Sequence, residues 1–393
     1  MKTLNKIASI ILILTLTTAS AQDANIKNIK IHFNGEFNLL SFYMNVGGID
    51  SLNFLFDTGF DVNVLDQSIA ENLGFDLSNT ITEQQPGGEM TYAKIENVKL
   101  AYGEQVLYSE NFISAPISQL GMLIGQPIHG IIGMEFMKKY VIELDYENAT
   151  LMLSSLLSDF NLNDFEKIEV NCDDGQPFMM GSVANPDATI FPAKLKMDTG
   201  SLDAVGFNKN YLDEAHLIND NTQVNSSSGV GVGGETFGIQ FRLNEIKMGS
   251  YYFNDIVVGA TLEAGGTEIR EDAGTIGAEL LMRFNWVLDF DNNTAYLKPN
   301  KFFGQEQALD RSGIWLIEGE NGEKIIYKIV KNSPGEQAGL KEGMWIESID
   351  GINATSISLF ELTQILKQED GTKVSIEVKD AESPVIIELK SLI

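Results

Sequence analysis

Apolar and polar residues alternate along short stretches of the chain, with turns rich in Gly, Asn and Asp between them. The runs 29–33, 39–46, 95–100 and 239–243 are period-two or β-branched, a pattern that puts apolar side chains on one face of a strand. Helical stretches are short, for example at 66–73 and 279–284. The pattern predicts a mainly β protein with a few short helices.

The first residues have a different pattern. Lys2 and Lys6 precede an apolar run at 7–16, and Ala19-Ser20-Ala21 comes after it. The run falls short of the ~20 residues a membrane-spanning helix needs. This layout predicts a cleaved secretory signal over 1–21, with export to the periplasm or the medium and no integral membrane segment afterwards.

The middle of the chain repeats itself. Asn53-Phe54-Leu55-Phe56 runs into Asp57-Thr58-Gly59, and Lys194-Leu195-Lys196-Met197 runs into Asp198-Thr199-Gly200, 141 residues later. Gly130-Ile131-Ile132-Gly133 and Leu144-Asp145 return as Gly274-Thr275-Ile276-Gly277 and Leu288-Asp289, each at an offset of 144. A Gly-Gly-Glu stands between the markers in each half, at Gly87-Gly88-Glu89 and Gly233-Gly234-Glu235. Four markers in one order predict two copies of a single β-rich unit.

Charge and composition narrow the chemistry. Asp and Glu outnumber Lys and Arg by 55 to 27, for a formal charge of −28. Nucleic acid is excluded as a partner, because its binders need a basic surface to release phosphate counterions. The single cysteine, Cys172, cannot close an internal disulfide, and the three histidines show no metal-ligand spacing. No metal or cofactor is expected, so any chemistry falls to carboxylates. Two carboxylates at ~3 Å cannot both ionise cheaply and share one proton. The ionised member can take a proton from water while the protonated one hydrogen-bonds to a scissile carbonyl.

The paired Asp-Thr-Gly loops, each with a Gly-x-Ile-Gly downstream, resemble the retropepsin/pepsin-type aspartic peptidases over roughly 26–300. That resemblance implies tandem closed-barrel β lobes over 22–155 and 156–300, with Asp57 and Asp198 as a catalytic dyad at their interface. It implies support from Thr58, Gly59, Thr199, Gly200 and Ser201, with the two threonines interlocking. A Ser or Thr usually comes directly after the glycine in that family and hydrogen-bonds to the outer oxygen of the aspartate. Ser201 keeps that position in lobe two, whereas lobe one has Phe60. The missing donor is expected to raise the Asp57 pKa or to change the dyad's asymmetry.

Gly229-x-Gly231-x-x-Gly234 matches the spacing of a dinucleotide fingerprint, which requires a strand before it and a helix after it. Asn225-Ser226-Ser227-Ser228 on its N-terminal side does not read as a strand, whereas Glu235-Thr236-Phe237-Gly238-Ile239 on its C-terminal side does. A hairpin tip fits better. The resemblance makes Gly87 and Gly88, and Gly233 and Gly234, the tips of flaps that close over substrate.

The segment from Ser333-Pro334-Gly335 through Ala338-Gly339-Leu340 to Asp350-Gly351 resembles a bacterial protease-associated PDZ domain, an α+β unit placed at 301–393. PDZ domains bind peptides by strand addition, often capturing a C-terminal carboxylate. The resemblance makes Gly313, Ile314 and Trp315 the carboxylate loop and a helix over 358–368 the groove wall; Trp315 fits a core position equally. Together these features predict an exported aspartic endopeptidase acting on peptides or proteins, its PDZ domain taking a C-terminal peptide ligand. A catalytically inactive peptide-binding scaffold of the cell envelope is the alternative.

Overall fold

The computed structural model describes residues 29–172, 175–263 and 271–393; the predicted signal at 1–21 lies outside the described residues. The chain is mainly β, as the alternation predicts. Lobe one closes six strands into a barrel, in the order Ser41–Val46, Ile49–Phe56, Gly130–Ile132, Val64–Asp66, Gln105–Ala115 and Gly88–Tyr102, and the last pairs back to the first. Lobe two repeats the circuit with Phe178–Ala184, Ile190–Met197, Gly274–Ile276, Val205–Asn208, Tyr251–Glu263 and Gly234–Met248. Closure leaves no unpaired edge on either barrel wall.

The repeat is a repeat of register. Phe54, Leu55 and Phe56 pair in parallel with Gly130, Ile131 and Ile132, and Leu195, Lys196 and Met197 pair in parallel with Gly274, Thr275 and Ile276. Each Asp-Thr-Gly therefore leaves its strand beside the matching Gly-x-Ile-Gly.

A third, shared sheet joins the lobes. Lobe one contributes Ile29–His32, Thr150–Ser154 and Val141–Asp145; lobe two contributes Phe284–Asp289, Thr294–Pro299 and Glu166–Asn171. The seam is antiparallel, with Leu144 opposite Trp286 and Ile142 opposite Leu288. Phe54, Phe56, Phe207, Phe284 and Trp286 are fully buried in one core that spans both lobes. The Trp286 indole N–H donates to the Leu281 carbonyl at 2.8 Å, so its one polar atom is satisfied there.

Two local expectations change. The helix expected over 279–284 is only Ala278–Leu281, and Phe284 instead opens a strand paired to Thr294–Pro299. Pairing and burial of Phe284 and Trp286 outweigh helix propensity there. Residues 225–228, not expected as a strand, lie in Val224–Gly231, which pairs with Gly234–Met248. The glycine-rich stretch is nevertheless a hairpin, with strands on both sides and no helix.

The C-terminal unit has its own core, built on Ile314–Glu318, Lys324–Ile329, Trp345–Ile349, Lys373–Val378 and Val385–Glu388. Its helix Leu359–Leu366 starts at a capping box, in which Ser358 accepts from the Glu361 amide and Glu361 accepts from the Ser358 amide. Among the described residues no helix is long and apolar enough to cross a membrane.

Candidate active site

The two Asp-Thr-Gly loops meet where the lobes face each other. The Asp57 amide donates to the Ile132 carbonyl and the Asp198 amide to the Ile276 carbonyl, each at 2.9 Å, so the Gly-x-Ile-Gly strands hold both loops in place. Thr58 Oγ1 accepts from the Thr199 amide at 3.0 Å and donates to the Met197 carbonyl at 2.7 Å. Thr199 Oγ1 accepts from the Thr58 amide at 3.1 Å and donates to the Phe56 carbonyl at 2.7 Å. Both threonines are buried, and four bonds fasten each lobe's loop to the other.

Each carboxyl also packs against the other lobe. The Gly59 amide donates to Asp57 Oδ1 at 2.7 Å, and the Gly200 amide to Asp198 Oδ1 at 3.0 Å. A Cβ on Gly59 would lie 2.4 Å from Asp198 Oδ2, and one on Gly200 would lie 2.1 Å from Asp57 Oδ2. Only glycine lets the two carboxyls approach so closely. They lie close enough for each to shift the other's ionisation.

A residue absent from the sequence expectations sets the charge. Lys196, on the strand leading into the second loop, places Nζ 3.0 Å from Asp198 Oδ2, and its side chain is 11% exposed. It has the position that a Ser or Thr hydroxyl was expected to fill. Among the described residues no hydrogen bond joins the Ser201 hydroxyl to the Asp198 carboxyl, which corrects that expectation. The signal lay in the sequence as a lysine two residues before the aspartate, where period two puts both side chains on one face.

The pair is polarised. Burial, and then the neighbouring Asp198 charge, pushes the Asp57 carboxyl well above the ordinary carboxylate range. Burial alone would raise Asp198 too, but the Lys196 ammonium, with hydrogen bonds from Lys196, Asp57 and Gly200, brings it below that range. The stable form thus has Asp57 protonated and Asp198 ionised. The sequence expectation had the direction for Asp57; the cause is burial and Asp198.

The flaps meet tip to tip. The Gly233 amide donates to the Pro86 carbonyl at 3.1 Å. Gly87 has a φ of 94°, and a Cβ there would lie 2.0 Å from the Gly234 carbonyl oxygen. Val232, in the tip of the second flap, packs in an apolar cluster with Phe60 and Val62 beside the first aspartate loop. Phe60 therefore supplies apolar wall where a hydroxyl was expected.

The C-terminal unit grips both lobes. The Tyr327 hydroxyl donates to the carboxylate of Glu235, next to the second flap tip, and Lys328 Nζ lies 3.3 Å from the same group. Gly125 caps the lobe-one helix Gln119–Ile124 and packs on Leu359 and Glu318, at one end of the cleft between strand Ile314–Glu318 and helix Leu359–Leu366. Phe37 meets Phe360 edge-on at 5.3 Å. The expected carboxylate loop is engaged internally, since the Gly313 amide donates to Asp310 Oδ2 at 2.7 Å and the Ile314 amide to Ser312 Oγ at 3.0 Å. Trp315 is half-buried and packs edge-on against Tyr327 at 5.5 Å.

Residues 43–136 match the aspartyl protease family, and residues 325–380 match the PDZ domain family. The first match includes Asp57 and ends before Asp198, whose loop is its structural counterpart. No curated protein matches the chain.

Proposed function

We propose that this chain, with its aspartyl protease and PDZ domains, is an exported aspartic endopeptidase that uses Asp57 and Asp198 as its dyad. One observation carries the reading: two carboxyls from two lobes, braced by a reciprocal threonine lock, in contact and oppositely shifted in pKa. Asp198, kept ionised by Lys196, takes a proton from a water as its oxygen attacks the scissile carbonyl carbon. Asp57 donates its proton toward the carbonyl oxygen, stabilising the charge that develops there. As the intermediate collapses, the C–N bond breaks and the proton taken by Asp198 passes to the leaving amine, while Asp57 recovers its own. The flaps hold an extended peptide over this centre, and the PDZ domain adds peptide recognition outside it. Export rests on the N-terminal layout of Lys2, Lys6, the apolar run 7–16 and Ala19-Ser20-Ala21.

A second reading has its own observation. The Lys196 ammonium occupies one oxygen of Asp198, and an aspartate so paired is a weak base, which favours a peptide-binding protein without hydrolysis. Incubating the mature protein with a mixed peptide library from about pH 3 to 8, the range over which a coupled pair can titrate, separates the two. Cleavage lost in both Asp57→Asn and Asp198→Asn supports the peptidase. Binding without cleavage at any pH supports the second reading, and cleavage that survives either substitution refutes the dyad.

A further inference from the structure

The two dyad loops differ in one position that their shared fold makes equivalent. Val62 and Asp203 each lie five residues after their aspartate. A Cβ on Gly133 would lie 2.3 Å from the Val62 carbonyl oxygen, and one on Gly277 would lie 2.2 Å from that of Asp203. The backbones match while the side chains do not. Val62 sits in the apolar cluster with Phe60 and the flap residue Val232. Asp203 instead opens into a cavity of about 70 Å³ roofed by the second flap, where Ser227, Ser228 and Thr236 face it and Gly206, Gly238 and Gly259 leave it room.

Among the described residues Asp203 has no hydrogen-bond or ion-pair partner for its carboxylate. Its side chain is exposed, and its carboxylate stands open at the cavity. Walls of hydroxyls and glycines cannot supply the missing charge. An incoming cation can.

We propose that Asp203 is a specificity-determining residue, and that its cavity takes the lysine or arginine side chain of a peptide substrate. The opposite lobe, with Val62 and Phe60, takes an apolar side chain. This deepens the peptidase reading and rests on it: a peptide extended beneath the flaps presents alternate side chains to opposite walls of the cleft, and here the two walls differ in charge. The substrate class is a peptide carrying a basic residue on the lobe-two side of the scissile bond and an apolar one on the lobe-one side.

The test uses the mature full-length protein and matched peptides that differ only in Lys, Arg, norleucine or Glu at each position near the cut. At one position kcat/KM should be highest for Lys or Arg and lowest for Glu. In Asp203→Asn the Lys-to-norleucine ratio there should fall about tenfold or more, the loss expected when a charge-assisted hydrogen bond goes. In Asp203→Lys the order of Lys and Glu should reverse. Cleavage without a cation preference, or an unchanged ratio in Asp203→Asn, overturns the inference and leaves the peptidase reading standing. If no peptide is cleaved, that reading fails by itself. Fluorescence anisotropy of the same labelled peptides with Asp57→Asn protein then decides the inference: tighter binding of the Lys peptide, abolished by adding Asp203→Asn, supports it, and equal binding of Lys and norleucine peptides rejects it.

Discussion

Lys196 Nζ lies 3.0 Å from Asp198 Oδ2, in the same seam where Asp198 meets Asp57. A buried ammonium gives the pair an asymmetry that two equivalent loops would lack. It decides which aspartate ionises first and makes the pH dependence of activity a probe of the site.

The active form holds one proton, so activity rises as Asp198 ionises and falls as Asp57 does. Lys196 lowers the carboxyl of Asp198, and to a lesser rank that of Asp57. Its removal in Lys196→Met should move both limbs of the kcat/KM profile to higher pH, the acid limb more. Rates at the acid end should drop by an order of magnitude or so, the scale of one misplaced general base. An unmoved profile would show that the ammonium does not act on the dyad.

The same shifts have opposite signs for stability. The folded pKa of Asp57 is raised, so the native state binds its proton more tightly, and stability is lost as pH rises through that folded value. Asp198 is lowered and contributes stability that is lost only as pH falls through its folded value. Asp57→Asn should therefore be inactive yet more stable at neutral pH, by about 0.5–2 kcal/mol, the usual range for relieving active-site strain. Denaturant melts at pH 7 of the two proteins measure it; a less stable Asp57→Asn would contradict the assigned protonation.

Thr58→Val and Thr199→Val each remove a hydroxyl that accepts one amide and donates to one carbonyl across the seam. Each buried group left unpaired costs about 1–3 kcal/mol. Either variant should lower unfolding free energy by at least that much. A Ser substitution at the same position keeps the hydroxyl and should restore most of it. Urea titrations of the four variants and the unsubstituted protein give the comparison.

Glu235 ties the second flap to the PDZ strand Lys324–Ile329 through Tyr327 and Lys328. Cutting the tie with Glu235→Ala and Lys328→Met should speed hydrogen exchange in Val224–Gly231 and the flap tip, while the PDZ core exchanges as before. Equal protection in both proteins would mean that the flap is held by Pro86, Gly87 and the apolar packing of Val232, without the PDZ tie.

Ser201→Ala should change kcat/KM by about twofold or less, the effect of a substitution that touches no special partner. A large loss would mean that the Ser201 hydroxyl engages Asp198 during the reaction, in spite of Lys196.

Whatever is local or repeated could be read from the residues alone. Period-two runs mark strands wherever one face is buried, and the 141- and 144-residue offsets identify two copies of one unit, because the same backbone needs the same residues twice. Asp57, Asp198 and their glycines were legible for that reason. The rest waited on the closed fold. Phe284 became a strand because Pro299 pairs with it and Leu144 faces Trp286 farther along the same strand. Lys196 found Asp198 through the fold of one strand end, and Asp203 was left without a counterion by a cavity whose walls come from four separate strands and a loop. A charge's partner, and so its pKa, depends on which distant segments pack beside it, and that is settled only when the chain has closed around it.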